Sequence, residues 1–308
     1  MKAKQIFPLI ALAVIWGGYY VASQQAIKGM SVFTVGIVIR LLTMVLLTVI
    51  MLAKGELKQL FCTKGVLKRL LLIGLLGFLL DLTAFIGLSL SPAGSGTALL
   101  KCDIIFVNLI SIIIYKTKFS KLDWLFTLVM LFGVFMVMGV SFSDFSFGNK
   151  GAIFFILSAL FVSINAFVIK SVQMDPHNPP PDNVIAYYNN FITMVLFFVT
   201  ALSLGVLGQL ELLTTDRGLL LAAILAGIGQ TGIYLVYYYD LRRFPVWLVK
   251  VFLLFMPLVA ALISFALFHE RMTAGQVLGM FVVLGGALGI LLQQQKKSKQ
   301  NPELLKER

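Results

Sequence analysis

Two lysines, Lys101 and Lys250, interrupt the apolar runs 95–115 and 246–268 at positions 149 residues apart. A lysine near the centre of a bilayer costs roughly 2.5–3.5 kcal/mol on insertion scales. A pair retained at matching places is suited to holding an anion. Three more ionisable residues lie well inside apolar runs, clear of the run ends: Arg40, Asp81 and Asp103. The five formal charges sum to +1, so two ion pairs would leave one cation for an anionic ligand. An unpaired charge in a low dielectric is costly, which gives such a ligand a reason to bind. The competing reading is internal pairing with snorkelling. Lys101 stands six residues into its run and Lys250 four, so each stem can reach toward an interface.

The other candidates are polar groups on the same kind of surface. Asp81, the twelfth residue of its run, is either a proton carrier or a static partner for Arg40 or Lys101. Asp103 faces about 200° away from Lys101 on a continuous helix and would meet another helix. Tyr234, Tyr237 and Tyr238 share one helical face, with Gln230 one turn earlier. Gln230 and Tyr234 are assigned to a substrate wall, whereas Tyr237–Tyr239 fit an interfacial belt better. Trp16 and Asn165 lie mid-run as cavity residues, and Asn189 and Asn190 are suited to bonding between helices.

These residues are positioned by long apolar segments. The chain is 59% hydrophobic and 12% charged, against about 45–50% and about 25% in soluble domains. Ten runs are long enough for spanning helices: 6–27, 32–53, 70–90, 95–115, 122–140, 151–171, 184–207, 218–239, 246–268 and 274–292. The first is retained rather than cleaved, since nine more follow it. The breaks carry turn residues, as at Ser91-Pro92-Ala93-Gly94, Asp175-Pro176 and Arg242-Arg243-Phe244-Pro245. With both termini in the cytoplasm, eighteen lysines and arginines fall on the inside. Four, Lys28, Lys150, Arg217 and Arg271, fall outside. This is the positive-inside pattern of a plasma (inner) membrane protein. The net charge of +12 therefore serves topology and anionic-lipid contact, with no nucleic-acid partner. Trp124 and Trp247 begin their runs on the inner side, as interfacial aromatics do. Cys62 and Cys102 are too few and too differently placed for a disulfide framework.

The runs repeat. Leu42-Thr43-Met44-Val45-Leu46-Leu47 recurs as Ile192-Thr193-Met194-Val195-Leu196-Phe197 at an offset of 150. At 149, Asp81 pairs with Gln230, Phe85 with Tyr234, Lys101 with Lys250 and Asn108 with Pro257. The expected architecture is an all-α integral membrane protein of two five-helix halves, 1–143 and 149–292, with a cytoplasmic tail over 293–308. Five is odd, so the halves enter the membrane in opposite senses. Inverted repeats place a substrate site near the midplane and support alternating access. Gly275-x-x-x-Gly279 and Gly285-x-x-x-Gly289 mark close packing of the last helix, within a monomer or across a homodimer. Pro257 frees a backbone carbonyl and lets the ninth run bend.

Certain residues resemble a known family. Trp16-Gly17 in the first run, Arg40 in the second, and Phe268-His269-Glu270-Arg271-Met272-Thr273 before Gly279 and Gly285-Gly286 are similar to the EamA family. That family belongs to the drug/metabolite transporter (DMT) superfamily. The resemblance covers nearly the whole chain and implies a ten-helix transporter with a central cavity for small metabolites. Two departures stand out. Lys118 stands about where an acidic residue is expected, matching Glu270 of the second half. Lysines in both the fourth and ninth runs look more like phosphate-sugar translocators of the same superfamily. That likeness implies an anion-binding role for Lys101 and Lys250 alone.

The reading is a secondary transporter for a small anionic or zwitterionic metabolite, driven by protons or a counter-substrate. The alternative is an exporter of amino acids or drug-like compounds in which both lysines are structural. The chain lacks Gly-x-x-x-x-Gly-Lys-Ser/Thr, and its two histidines, His177 and His269, lie outside the runs. Neither ATP hydrolysis, an enzyme activity, a metal nor a cofactor is expected.

Overall fold

Backbone polar groups find no water in hydrocarbon, so apolar runs of this length satisfy them internally as helices. The computed structural model, which describes residues 3–90, 99–117, 119–139, 150–268 and 272–300, follows that rule, with no strand among the described residues. The main helices are α1 (Ala3–Ile27), α2 (Val32–Ala53), α3 (Leu67–Leu90), α4 (Asp103–Ile113), α5 (Lys121–Val137), α6 (Lys150–Gln173), α7 (Asp182–Ser203), α8 (Arg217–Arg243), α9 (Val246–Leu253), α10 (Met256–Phe268) and α11 (Ala274–Gln300). The Ser91–Gly94 turn, Lys118, the 141–149 linker, His269, Glu270 and Arg271, and residues 301–308 lie outside the described residues.

Seven helical stretches among the described residues are long and apolar enough to cross a membrane. They are Ile6–Ile27, Val32–Ala53, Ile153–Gln173, Asp182–Ser203, Arg217–Arg243, Val246–Leu267 and Ala274–Gln293. The third expected run forms the 24-residue helix α3, whereas the fourth and fifth are not in that set. Within them α4 has 11 residues and α5 has 17, short of the ~20 that span a hydrocarbon core. The fourth run is also not one continuous helix: Lys101 and Cys102 form a turn, and α4 starts behind them. The ninth run breaks at Leu254-Phe255, and Pro257 sits in the first turn of α10. There its missing N–H costs little, so the expected bend becomes a restart. The last helix runs past 292 to Gln300, into the expected tail.

The repeat is written into the backbone. α2 and α7 have the same length and bounds 150 residues apart. Each ends the same way, in left-handed glycines Gly55 (φ 69°) and Gly205 (φ 66°). Glu56 N–H then bonds Met51 O at 2.8 Å, and Val206 N–H bonds Ala201 O at 3.1 Å. These are Schellman closures, which capture carbonyls that the helix end leaves unsatisfied. A 3₁₀ turn follows each, Leu57–Phe61 and Leu207–Glu211. The repeated threonines exchange roles: Thr43 of α2 donates to Gly227 O of α8, and Thr193 of α7 donates to Gly74 O of α3.

The chain forms two compact units, each drawing on both sequence halves. One comprises Met1–Val14, Leu82–Ser163 and Arg243–Arg308; the other comprises Ile15–Asp81 and Ile164–Arg242. In the first unit α5 packs closely on α11. A Cβ added to Gly279 would meet Met136 Cβ at 2.7 Å and Gly133 O at 2.8 Å. Gly286 and Gly289 press on Met130 and Phe126 in the same way. These glycines thus serve a contact inside the chain. Gly285 has nothing within 4 Å of an added Cβ. A Ser120–Asp123 capping box opens α5, and Gln293 and Gln276 of α11 bond Ser120 Oγ and Val137 O at its two ends. In the second unit α2 lies against α7, with Gly36 beneath the Phe197 ring and Phe33 and Phe78 beside it.

Candidate substrate-binding site

In the first unit α4 and α9 bring three charges together. Lys250 is 2% exposed, and its Nζ donates to Asp103 Oδ2 at 2.9 Å. Asp103, in the first turn of α4, also has its main-chain carbonyl bonded by Ser163 Oγ of α6 at 3.0 Å. The turn before α4 presents Lys101, whose Nζ donates to Met256 Sδ at 3.5 Å. Both Asp103 and Lys250 lie within electrostatic range of Lys101. A thioether is a weak acceptor, whereas an ammonium carries three donors. Among the described residues no carboxylate lies within ion-pair distance of Lys101. The cluster is formally +1, and Lys101 carries the surplus. Lys250 is buried in an ion pair, which is not the geometry of a lysine reaching for an interface.

The second unit holds the other set. Arg40 is 7% exposed and donates to Asp81 Oδ2 at 2.8 Å and to the Tyr234 hydroxyl. Its carbonyl accepts from Asn190 Nδ2 at 2.8 Å. The Tyr234 ring meets Tyr238 edge-on at 5.6 Å. Tyr238, fully buried, accepts from Asn189 Nδ2 at 2.7 Å. Both asparagines therefore bond between helices. Tyr237 packs edge-on against Trp16 at 5.5 Å. Asn165 and Gln230 are buried, and Asn165 Oδ1 has no hydrogen-bond partner among the described residues.

Two sequence expectations change. Tyr237 and Tyr238 are 6% and 0% exposed, so they are core aromatics and not an interfacial belt; Tyr239, at 39%, keeps that character. Trp247 is likewise buried, packed edge-on against Phe119 at 5.4 Å, because α9 is enclosed along its whole length. Sequence reasoning also passed over Met256 and Ser163, whose roles depend on the helix break and on packing. It missed Asp240 because the apolar run was ended one residue early.

Outside the spans, the Asp175 carboxyl is held down at about 2 by the Arg69 guanidinium and by the Asn178 and His177 backbone N–H groups. Among the described residues no group of three His, Cys, Asp or Glu could hold a metal ion.

The sequence profile of the EamA-like transporter family matches residues 3–139 and 149–292. The chain belongs to the EamA-like transporter family. It is a multi-pass membrane transporter built on two repeats. A solved structure described only as a crystal structure of a protein is similar to it at a TM-score of 0.77 and 16% identity. That likeness covers 96% of this chain and 99% of the other, and it concerns the fold alone. No curated protein matches the chain.

Proposed function

We propose that this EamA-family chain is a secondary active transporter for a small anionic or zwitterionic metabolite. It works by alternating access across ten spans in the plasma membrane, with both termini cytoplasmic. The observation that carries the reading is the Lys101–Asp103–Lys250 cluster. Asp103 neutralises Lys250 at 2.9 Å, and among the described residues the Lys101 ammonium has a thioether contact and no carboxylate within ion-pair distance. A carboxylate or phosphate oxygen of a substrate would give Lys101 a strong, charge-matched acceptor. Arg40, Asp81 and Tyr234 form a separate, charge-balanced set that holds α2, α3 and α8 together. Gln230, Trp16 and Asn165, all in the second unit, are proposed as further substrate contacts in their own right.

The test is uptake and counterflow in proteoliposomes with a panel of anionic, zwitterionic and cationic metabolites. Lys101→Ala removes the surplus charge without breaking the Lys250–Asp103 pair. Expected is transport of an anion or zwitterion by the native protein, lost in Lys101→Ala while the protein elutes and melts as folded. Undiminished transport in Lys101→Ala and in the double variant with Lys250→Ala would favour an exporter of amino acids or drug-like compounds with structural lysines.

A further inference from the structure

The buried and half-buried aspartates sort by what they bind. Asp81 takes Arg40, Asp103 takes Lys250, Asp175 takes Arg69 and Asp182 takes Arg242. Asp123 accepts from Ser120 N at 2.8 Å in its capping box. Asp240 differs from all of these. It is 0% exposed, and neither of its oxygens has a hydrogen-bond partner among the described residues.

Lys170 and Arg242, at this end of α8, are engaged with other groups. Lys170 of α6 donates to the carbonyls of Leu241 and Arg242. Arg242 donates to Asp182 Oδ1 at the start of α7 and to the carbonyls of Gln173 and Pro180. Arg243 ends α8 one residue further on. Of the neighbouring phenols, Tyr238 accepts from Asn189, and Tyr237 lies against Trp16. Asp240 also stands in the last turn of α8, where the helix dipole opposes a negative charge. A dehydrated carboxylate without donors is strongly disfavoured unless something neutralises it. The smallest group able to do so without displacing packed atoms is a proton.

We propose that Asp240 is a proton-binding site of this transporter. In the packed arrangement the carboxyl carries its proton, and in a conformation that admits water it releases it. The step is a simple transfer: hydronium gives a proton to one Asp240 oxygen and leaves as water, and release is the reverse. The acid that responds to a pH gradient is then Asp240, and not Asp81, whose charge Arg40 already balances. The coupling part rests on the transporter reading; the proton-binding part does not.

Two measurements test it on the full-length protein in proteoliposomes. Infrared difference spectra between acid and alkaline buffers, with carbon-13 aspartate, read protonated carboxyl groups directly. The native protein should show a protonated-aspartate band that is absent in Asp240→Asn and reappears with a glutamate signature in Asp240→Glu. A native spectrum with no such band overturns the proposal without reference to any variant's folding. A band undiminished in folded Asp240→Asn overturns it too. The second measurement is the metabolite-panel uptake with an imposed pH gradient. The gradient should change the native rate and have no effect in Asp240→Asn; an equal response in both removes the coupling role. Absence of any transported compound in that panel bears on the substrate reading and leaves the infrared result standing.

Discussion

Arg40 shows how much a single side chain can organise inside a membrane protein. Its guanidinium meets Asp81 and Tyr234, and its carbonyl meets Asn190, so it ties α2 to α3, α8 and α7. Removing one partner of such a pair leaves a buried charge uncompensated, at a cost of about 3–5 kcal/mol. Arg40→Leu is therefore expected to lower the melting temperature in detergent sharply, while Arg40→Leu with Asp81→Leu recovers much of the loss. Equal melting of the single and double variants would show that the charge pair is not the term that matters. Asp175 gives a second residue-scale prediction, in the loop between α6 and α7. Its carboxyl is held at about 2 against an ordinary value of 3.8. A depressed carboxyl stabilises the fold above its unfolded value and loses that contribution as pH falls through the folded one. Acid unfolding followed by tryptophan fluorescence should thus show a stability loss between about pH 3.8 and 2. Arg69→Leu, which removes the first cause of the depression, should shrink it.

At the scale of elements, the α5–α11 contact is set by glycines and not by large side chains. Gly279 and Gly133 let two backbones approach until an added Cβ would lie 2.8–2.9 Å from the opposing carbonyl. Gly279→Val should cost at least the 1–3 kcal/mol typical of overpacking, because backbone has little room to yield. Gly285→Ala, with open space around it, should stay within about 0.5 kcal/mol of native. Thermal unfolding of the two variants side by side separates a packing glycine from an idle one. The Gly-x-x-x-Gly spacing was visible in the sequence, but which glycines bear the contact was not, since that depends on the rotation of α11. The same limit applied elsewhere. Apolar length and the Leu42–Leu47 echo revealed helices and repeat, because both are written in residue type. The turn at Lys101-Cys102, the restart at Met256 and the enclosure of Trp247 follow from packing between segments distant in sequence. The charge sum anticipated two pairs and one surplus cation, yet not which carboxylate each cation takes.

At the scale of the whole molecule, the proposed orientation rests on charge. Lysine and arginine are retained on the cytoplasmic side during insertion, and across the ten proposed spans the count is eighteen against four. In the proposed ten-span topology this is more demanding than usual, because two similar halves would insert in opposite senses with only their loop charges to tell them apart. Cys62 reports directly on the result. It is exposed, it follows the first 3₁₀ turn, and it lies in a basic loop with Lys58 and Lys64. With Cys102→Ser as background, a membrane-impermeant maleimide should leave Cys62 unlabelled in intact cells and label it in inside-out vesicles. Lys28, exposed at the end of the first span, is expected on the other face. Lys28→Cys in a background of Cys62→Ser and Cys102→Ser should therefore label from outside alone. Labelling of both positions from the same face would rule out a single crossing by α2. Exchange of the two faces would show that the insertion machinery reads something other than the lysine and arginine balance.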